Sequence, residues 1–141
     1  MDPRDFLEVA KKLSQGGTAA EYRTAVSRAY YATYHVGADF FKAIGCRISE
    51  GPFGHGEVIR NLANCGDLEL AKVGTQLTDL RTQRNNADYY LDNIKFDNQK
   101  TSQTITIKSE QMIQALDRCG AGARRDEIAK AVKEYLRKIT P

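Results

Sequence analysis

The sequence predicts an all-α protein, an up-and-down bundle of about five to six helices forming one domain over residues 1–141. Three observations predict it. Apolar residues recur at steps of three and four along most of the chain. Capping residues precede the periodic stretches and glycines follow them. No two alternating apolar runs offer a strand and its partner. A chain of 141 residues with 41% apolar content can build one core without disulfides or a metal.

The first helix starts at Asp2-Pro3, a capping side chain before a proline suited to the first helical position. Phe6, Leu7, Val9, Ala10 and Leu13 follow at helical spacing, and Gly16-Gly17 stops it. Thr18 with Glu21 forms a capping box for a second helix running to about Ala43 and ending at Gly45. Residues 46–56, with three glycines and a proline, predict a loop. A short helix is expected over Glu57 to Asn64, closed by Gly66. Asp67 can cap a long fourth helix reaching about Leu91, and residues 92–103 predict a second loop. A fifth helix is expected over Thr104 to Cys119. Ile105 and Ile107 alternate with threonines there, which also suits a short strand, but no partner strand is available. After Gly120 and Gly122, a last helix is expected over Asp126 to Ile139. The core is thus placed at about residues 2–120, with a C-terminal helix over about 123–139.

Composition excludes several function classes. The longest apolar runs are a few residues, so no membrane-spanning helix is expected, and the charged N-terminus lacks the core of a signal peptide. A soluble, cytoplasmic protein is expected. Cys46, Cys65 and Cys119 are far apart and odd in number, and only His35 and His55 could join them, so reduced thiols are expected and no metal or cofactor. The net charge of +3 is too mild to imply nucleic-acid binding alone. From Arg118 onward, however, seven basic residues oppose three acidic ones, a local excess of +4. That suits either a solvated helix face or a phosphate-contacting patch.

Polar residues on apolar seams carry the functional reading. On the fourth helix the series 70, 73, 77, 80, 84, 87, 91 is apolar except at Arg84. A guanidinium there requires a carboxylate or an anionic ligand, and Asp88 stands one turn later. The pair either fixes helix register or marks a polar cleft. Arg81 flanks the same edge, and Tyr89 is expected to point the opposite way. On the second helix the apolar stripe is Tyr22, Val26, Ala29, Thr33, Val36, Phe40 and Ile44, with Tyr30 and Tyr34 beside it. Arg28, Tyr31, His35 and Asp39 share the opposite side, which suits a subunit interface or a ligand-facing wall. His35 there is either a hydrogen-bonded structural group or a catalytic or anion-binding one.

Three segments resemble the HEPN domain family: Ala25-Val26-Ser27-Arg28-Ala29-Tyr30-Tyr31-Ala32-Thr33-Tyr34-His35, Leu80-Arg81-Thr82-Gln83-Arg84-Asn85-Asn86-Ala87-Asp88-Tyr89, and Gly54-His55-Gly56-Glu57-Val58-Ile59. The resemblance covers about residues 5–120. It implies an α-helical bundle that forms a homodimer. It also implies one of three roles: a metal-independent endoribonuclease, the partner of a small nucleotidyltransferase in a toxin–antitoxin pair, or a noncatalytic RNA-binding or scaffold domain. Catalytic members pair an arginine with a histidine four to six residues on, at the subunit junction. Arg84 matches the arginine, but Tyr89, Tyr90 and Leu91 stand where the histidine belongs, and none follows His55. Tyrosine titrates near 10 and arginine cannot shuttle protons. The resemblance therefore implies a noncatalytic module for RNA, a nucleotide or a protein partner, with Arg28, Tyr31, His35, Arg84, Asp88 and Tyr89 as candidate binding residues. The alternative is a metal-independent endoribonuclease that uses Arg84 with His35 as its candidate catalytic pair. A tyrosine at 89 or 90 is also a candidate nucleotide acceptor from a partner transferase.

Overall fold

The computed structural model describes residues 1–140. Among them are six α-helices and no strands: α1 (Arg4–Ser14), α2 (Ala19–Ala43), α3 (Phe53–Ala63), α4 (Leu68–Tyr89), α5 (Gln99–Arg118) and α6 (Gly122–Ile139), with a 3-10 helix at Ile94–Asp97. The all-α bundle is as expected. No helix of the described residues is long and apolar enough to cross a membrane.

The caps act largely where the sequence places them. Asp2 Oδ1 accepts from Arg4 N at 2.9 Å. Thr18 Oγ1 accepts from Glu21 N at 3.2 Å while the Glu21 carboxylate accepts from the Thr18 hydroxyl and Gly17 N, closing the capping box. Asp67 Oδ1 accepts from Leu70 N at 3.0 Å at the head of α4.

Four boundaries differ from expectation. Helix α3 begins at Phe53 rather than Glu57, so Gly54 and Gly56 lie inside a helix. Gly54 is there for close approach rather than for a turn: a Cβ on it would stand 2.4 Å from the Ser49 carbonyl oxygen and 2.5 Å from the Tyr34 hydroxyl. Helix α5 begins at Gln99 rather than Thr104, because Asn98 Oδ1 caps Thr101 N at 3.0 Å. Ile105 and Ile107 are helical. One is buried and the other exposed, since residues two apart stand about 200° apart on a helix, which resembles strand alternation over so short a run. Helix α6 begins at Gly122, ahead of Asp126 and next to the other expected start at about 123. Helix α4 ends at Tyr89, so Leu91 leaves the seam and is exposed.

Helix α2 is the central element and packs against α1, α3, α4 and α5. Its stripe is buried at Val26, Ala29, Thr33, Val36 and Ile44, but burial extends further round, to Tyr30 and Tyr34. One core cluster unites the buried apolar side chains, all three free cysteines among them. Leu70, Val73, Leu77, Leu80 and Ala87 face that core from α4.

Where α4 ends, its last carbonyls meet an unexpected partner. Arg23 of α2 is only 8% exposed. Its Nη1 and Nη2 donate to the carbonyls of Asn86, Ala87, Tyr90, Leu91 and Asn93, at 2.7–3.4 Å. Its Nε donates to Asp97 Oδ1 at 2.7 Å. One guanidinium thus caps α4, neutralises the negative end of its dipole and fixes the following turn.

Candidate functional site

The α2–α4 face holds the arginines, and helix geometry explains how they meet. Positions 28 and 31 lie one turn apart on α2, and positions 81, 84 and 88 lie on successive turns of α4. The long side chains project from two packed helices into the same strip. There Arg28 Cζ lies 5.0 Å from the ring centroids of both Phe6 and Tyr31. Arg84 Cζ lies 5.0 Å from the Tyr31 centroid and 5.4 Å from that of Tyr89. The order Phe6, Arg28, Tyr31, Arg84, Tyr89 is an alternating column of rings and guanidiniums crossing α1, α2 and α4. Each contact is a cation–π interaction, which holds the cations in place without neutralising them.

A polar chain runs beside the column. Arg28 Nη2 donates to Ser27 Oγ at 3.4 Å, and Ser27 Oγ donates to Asp88 Oδ2 at 3.1 Å. Arg84 Nε stands 2.9 Å from the same oxygen, an ion pair one turn long, and Nη1 donates to Asn85 Oδ1 at 3.0 Å. The Nε–H itself is out of line with the carboxylate and is buried without a hydrogen-bond partner. Arg84 is thus half-buried at the bundle edge, with its side chain 17% exposed, rather than in the packed middle. Tyr89 does not turn away from it. The two Cα positions diverge, but the flexible arginine stem reaches the ring. Among the described residues, neither Arg28 nor Arg81 forms an ion pair, and of the three guanidiniums here Arg84 alone is paired, with Asp88.

His35 lies at the column's flank. It is exposed, packs 5.0 Å from the Tyr34 ring and 6.2 Å from those of Phe6 and Tyr31, and has its pKa lowered first by desolvation. Tyr31 is the neighbour it shares with Arg84. The six candidate residues therefore share one face. Arg28, Tyr31, Arg84 and Tyr89 stand in the column, Asp88 beside it and His35 at its edge.

His55 was not among them, and the structure sets it next to this strip. Its ring stacks on Tyr34 at 4.0 Å and lies parallel to Tyr30 at 5.6 Å, and Nδ1 is hydrogen-bonded to the Tyr30 hydroxyl. Burial pushes the Tyr30 phenol up, so it stays protonated. Desolvation, then the charges of Arg81 and Arg84, bring His55 down to about 4. The imidazole is neutral at pH 7. A Tyr30 hydroxyl that donates to Nδ1 would fix the ring proton on Nε2. The clue available in the sequence was the pattern Gly54-His55-Gly56 followed by Val58 and Ile59, an apolar face one turn on that marks His55 as helical.

This histidine sets a pH dependence. The folded state holds His55 neutral down to about pH 4, whereas the unfolded chain protonates near 6.5. The unfolded state binds more protons in that window, so stability is complete above about pH 6.5 and falls as pH drops toward 4. After allowance for screening of a half-buried group, the expected loss is on the order of 1–2 kcal/mol. Urea titrations between pH 7.5 and 4.5 would measure it, and His55→Gln should flatten most of the slope. An unchanged slope in that variant would refute the assignment.

No group of three or more His, Cys, Asp or Glu side chains among the described residues could hold a metal ion. Comparisons with protein-family models, curated proteins and solved structures find no match to this chain.

Proposed function

We propose that the chain is a HEPN-like, noncatalytic binding module whose ligand is single-stranded RNA or a nucleotide, acting as a homodimer in a toxin–antitoxin or defence setting. The observation that supports this most is the column Phe6–Arg28–Tyr31–Arg84–Tyr89. Proteins that hold single strands combine cations for the backbone with rings on which bases stack. Here the cations are already oriented by the rings and retain net positive charge, and the terminal ring, Tyr89, is 68% exposed and free to stack a base. Tyr90, Leu91 and Ile94 are exposed beside it, an apolar surface suited to self-association.

The noncatalytic part of the proposal rests on the histidines. Endonucleolytic transesterification needs a base within about 3 Å of the 2′-hydroxyl and an acid for the leaving oxygen. His55 Nδ1 is occupied by Tyr30 and its ring is stacked. His35 and Arg84 touch the same tyrosine but share no hydrogen bond.

Fluorescence anisotropy with a labelled single-stranded oligouridylate tests the reading. Wild type should bind with a strong salt dependence, and Arg84→Ala and Tyr31→Ala should each weaken binding about 10- to 100-fold. Arg84→Lys should not restore it, because an ammonium cannot stack as a guanidinium does. Absence of wild-type binding at micromolar protein in low salt would refute RNA recognition. Metal-free cleavage of the same oligonucleotide that disappears in both Arg84→Ala and His35→Ala would establish the nuclease instead.

A further inference from the structure

Helix α6 differs from the other five in what holds it. It buries only Ile128 and Val132 fully, with Ala129 and Leu136 partly covered. It rests on turns rather than along a helix: a Cβ on Gly66 would stand 3.4 Å from Ala131 Cβ, and one on Gly45 would stand 3.4 Å from Lys133 Nζ. Its head is held by charge. Arg124 Nε donates to Asp67 Oδ2 at 2.7 Å, and Nη2 donates to Asp67 Oδ1 and Glu69 Oε1, each at 3.0 Å. Arg125 Nη2 adds a bond to the Ala43 carbonyl at 2.9 Å.

The turns beneath this helix carry the cysteines. Cys46 and Cys65 each adjoin one of those two glycines, and Cys119 follows the last residue of α5, three residues before α6 begins. All three are buried, and Cys65 Sγ donates to the Leu62 carbonyl at 3.2 Å. Burial pushes the Cys65 and Cys119 thiols up, the latter to about 11, and Arg124 lies close enough to oppose that shift at both. A helix with so little apolar anchorage, fastened by partly exposed ion pairs, can open while the α1–α5 core stays folded.

We propose that α6 is a detachable cover, and that its release opens Cys65 and Cys119 to thiol–disulfide exchange with a small-molecule disulfide. In that reaction the cysteine loses its proton to solvent and the thiolate attacks one sulfur of the disulfide. A protein–small-molecule S–S bond forms, the original S–S bond breaks, and the departing thiolate carries away the electron pair. With α6 in place both sulfurs are buried, which limits the approach of a disulfide and keeps the thiols protonated despite Arg124.

The probe is 5,5′-dithiobis(2-nitrobenzoate), applied to the full chain without denaturant, with labelled cysteines located by peptide mass spectrometry and amide exchange followed in parallel. Arg124→Ala should speed labelling of Cys65 and Cys119 about tenfold, with α6 amides exchanging well before those of α2. Wild type moved from low salt to about 1 M salt should show the same order of events at a severalfold acceleration, a readout that stands even if the variant does not fold. Labelling that keeps pace with α2 exchange in wild type under both conditions would mean the thiols open only on global unfolding, and would overturn the proposal.

Discussion

Arg23→Ala should destabilise the protein by about 3–5 kcal/mol, the largest effect expected of any single substitution outside the apolar core. The truncated side chain withdraws a donor from five carbonyls, and those of Ala87 in the last turn of α4 and of Leu91 after it have no other donor among the described residues. It also removes the cation at the negative end of a 22-residue helix. Water cannot fully replace it, because the guanidinium sits in a site only 8% exposed. The pair with Asp97 adds less, since that carboxylate is 38% exposed. Urea unfolding at neutral pH measures the loss, and thermal melting should fall by roughly 10–15 °C. Arg23→Lys should recover less than half, because one ammonium cannot span carbonyls from residue 86 to residue 93. A loss below about 1 kcal/mol in the alanine variant would show that the turn finds other donors.

Gly54→Ala is expected to cost about 2–3 kcal/mol and to disturb the candidate site as well. The added methyl meets the Ser49 carbonyl and the Tyr34 hydroxyl at distances well inside van der Waals contact. Neither gives easily. The Ser49 backbone is tied to Glu57 Oε2 at 2.9 Å, and the Tyr34 ring is stacked on His55 at 4.0 Å. Relief must shift one of them, so the His55 titration should move from about 4 toward its ordinary value, readable by NMR of the imidazole protons. Gly56→Ala is the control. Its Cβ meets only the flexible end of Arg60, and alanine favours helix over glycine by up to about 1 kcal/mol, so little net loss is expected. Equal losses at both positions would attribute the effect to the helix backbone rather than to the Tyr34 contact.

Much of the fold was legible because its signals are local. Thr18 and Glu21 read as a capping box and form one, and Asp67 caps α4 as its type and position suggest. The α4 seam was legible as far as Ala87 but not at Leu91, because helix length is set by Arg23, which reaches the α4 terminus from another helix. The head of α3 was misread for a related reason. Gly54 and Gly56 carry the local signature of a loop, and only the approach of Ser49 and Tyr34 shows why a glycine stands within a helix.

The candidate site divides along the same line. The Arg84–Asp88 pair follows from one turn of helix and was readable as a spacing. By itself the sequence determined the all-α class, most of the helix faces and that i, i+4 pair, because backbone geometry alone fixes which neighbours along a helix can touch. Tertiary structure alone decided that Phe6, Arg28, Tyr31, Arg84 and Tyr89 stack in one column, that Arg23 closes α4, and that His55 stays neutral beside Tyr30. Those contacts join different helices, and they depend on interhelical register and on how far long side chains reach, which no periodicity within a single helix encodes.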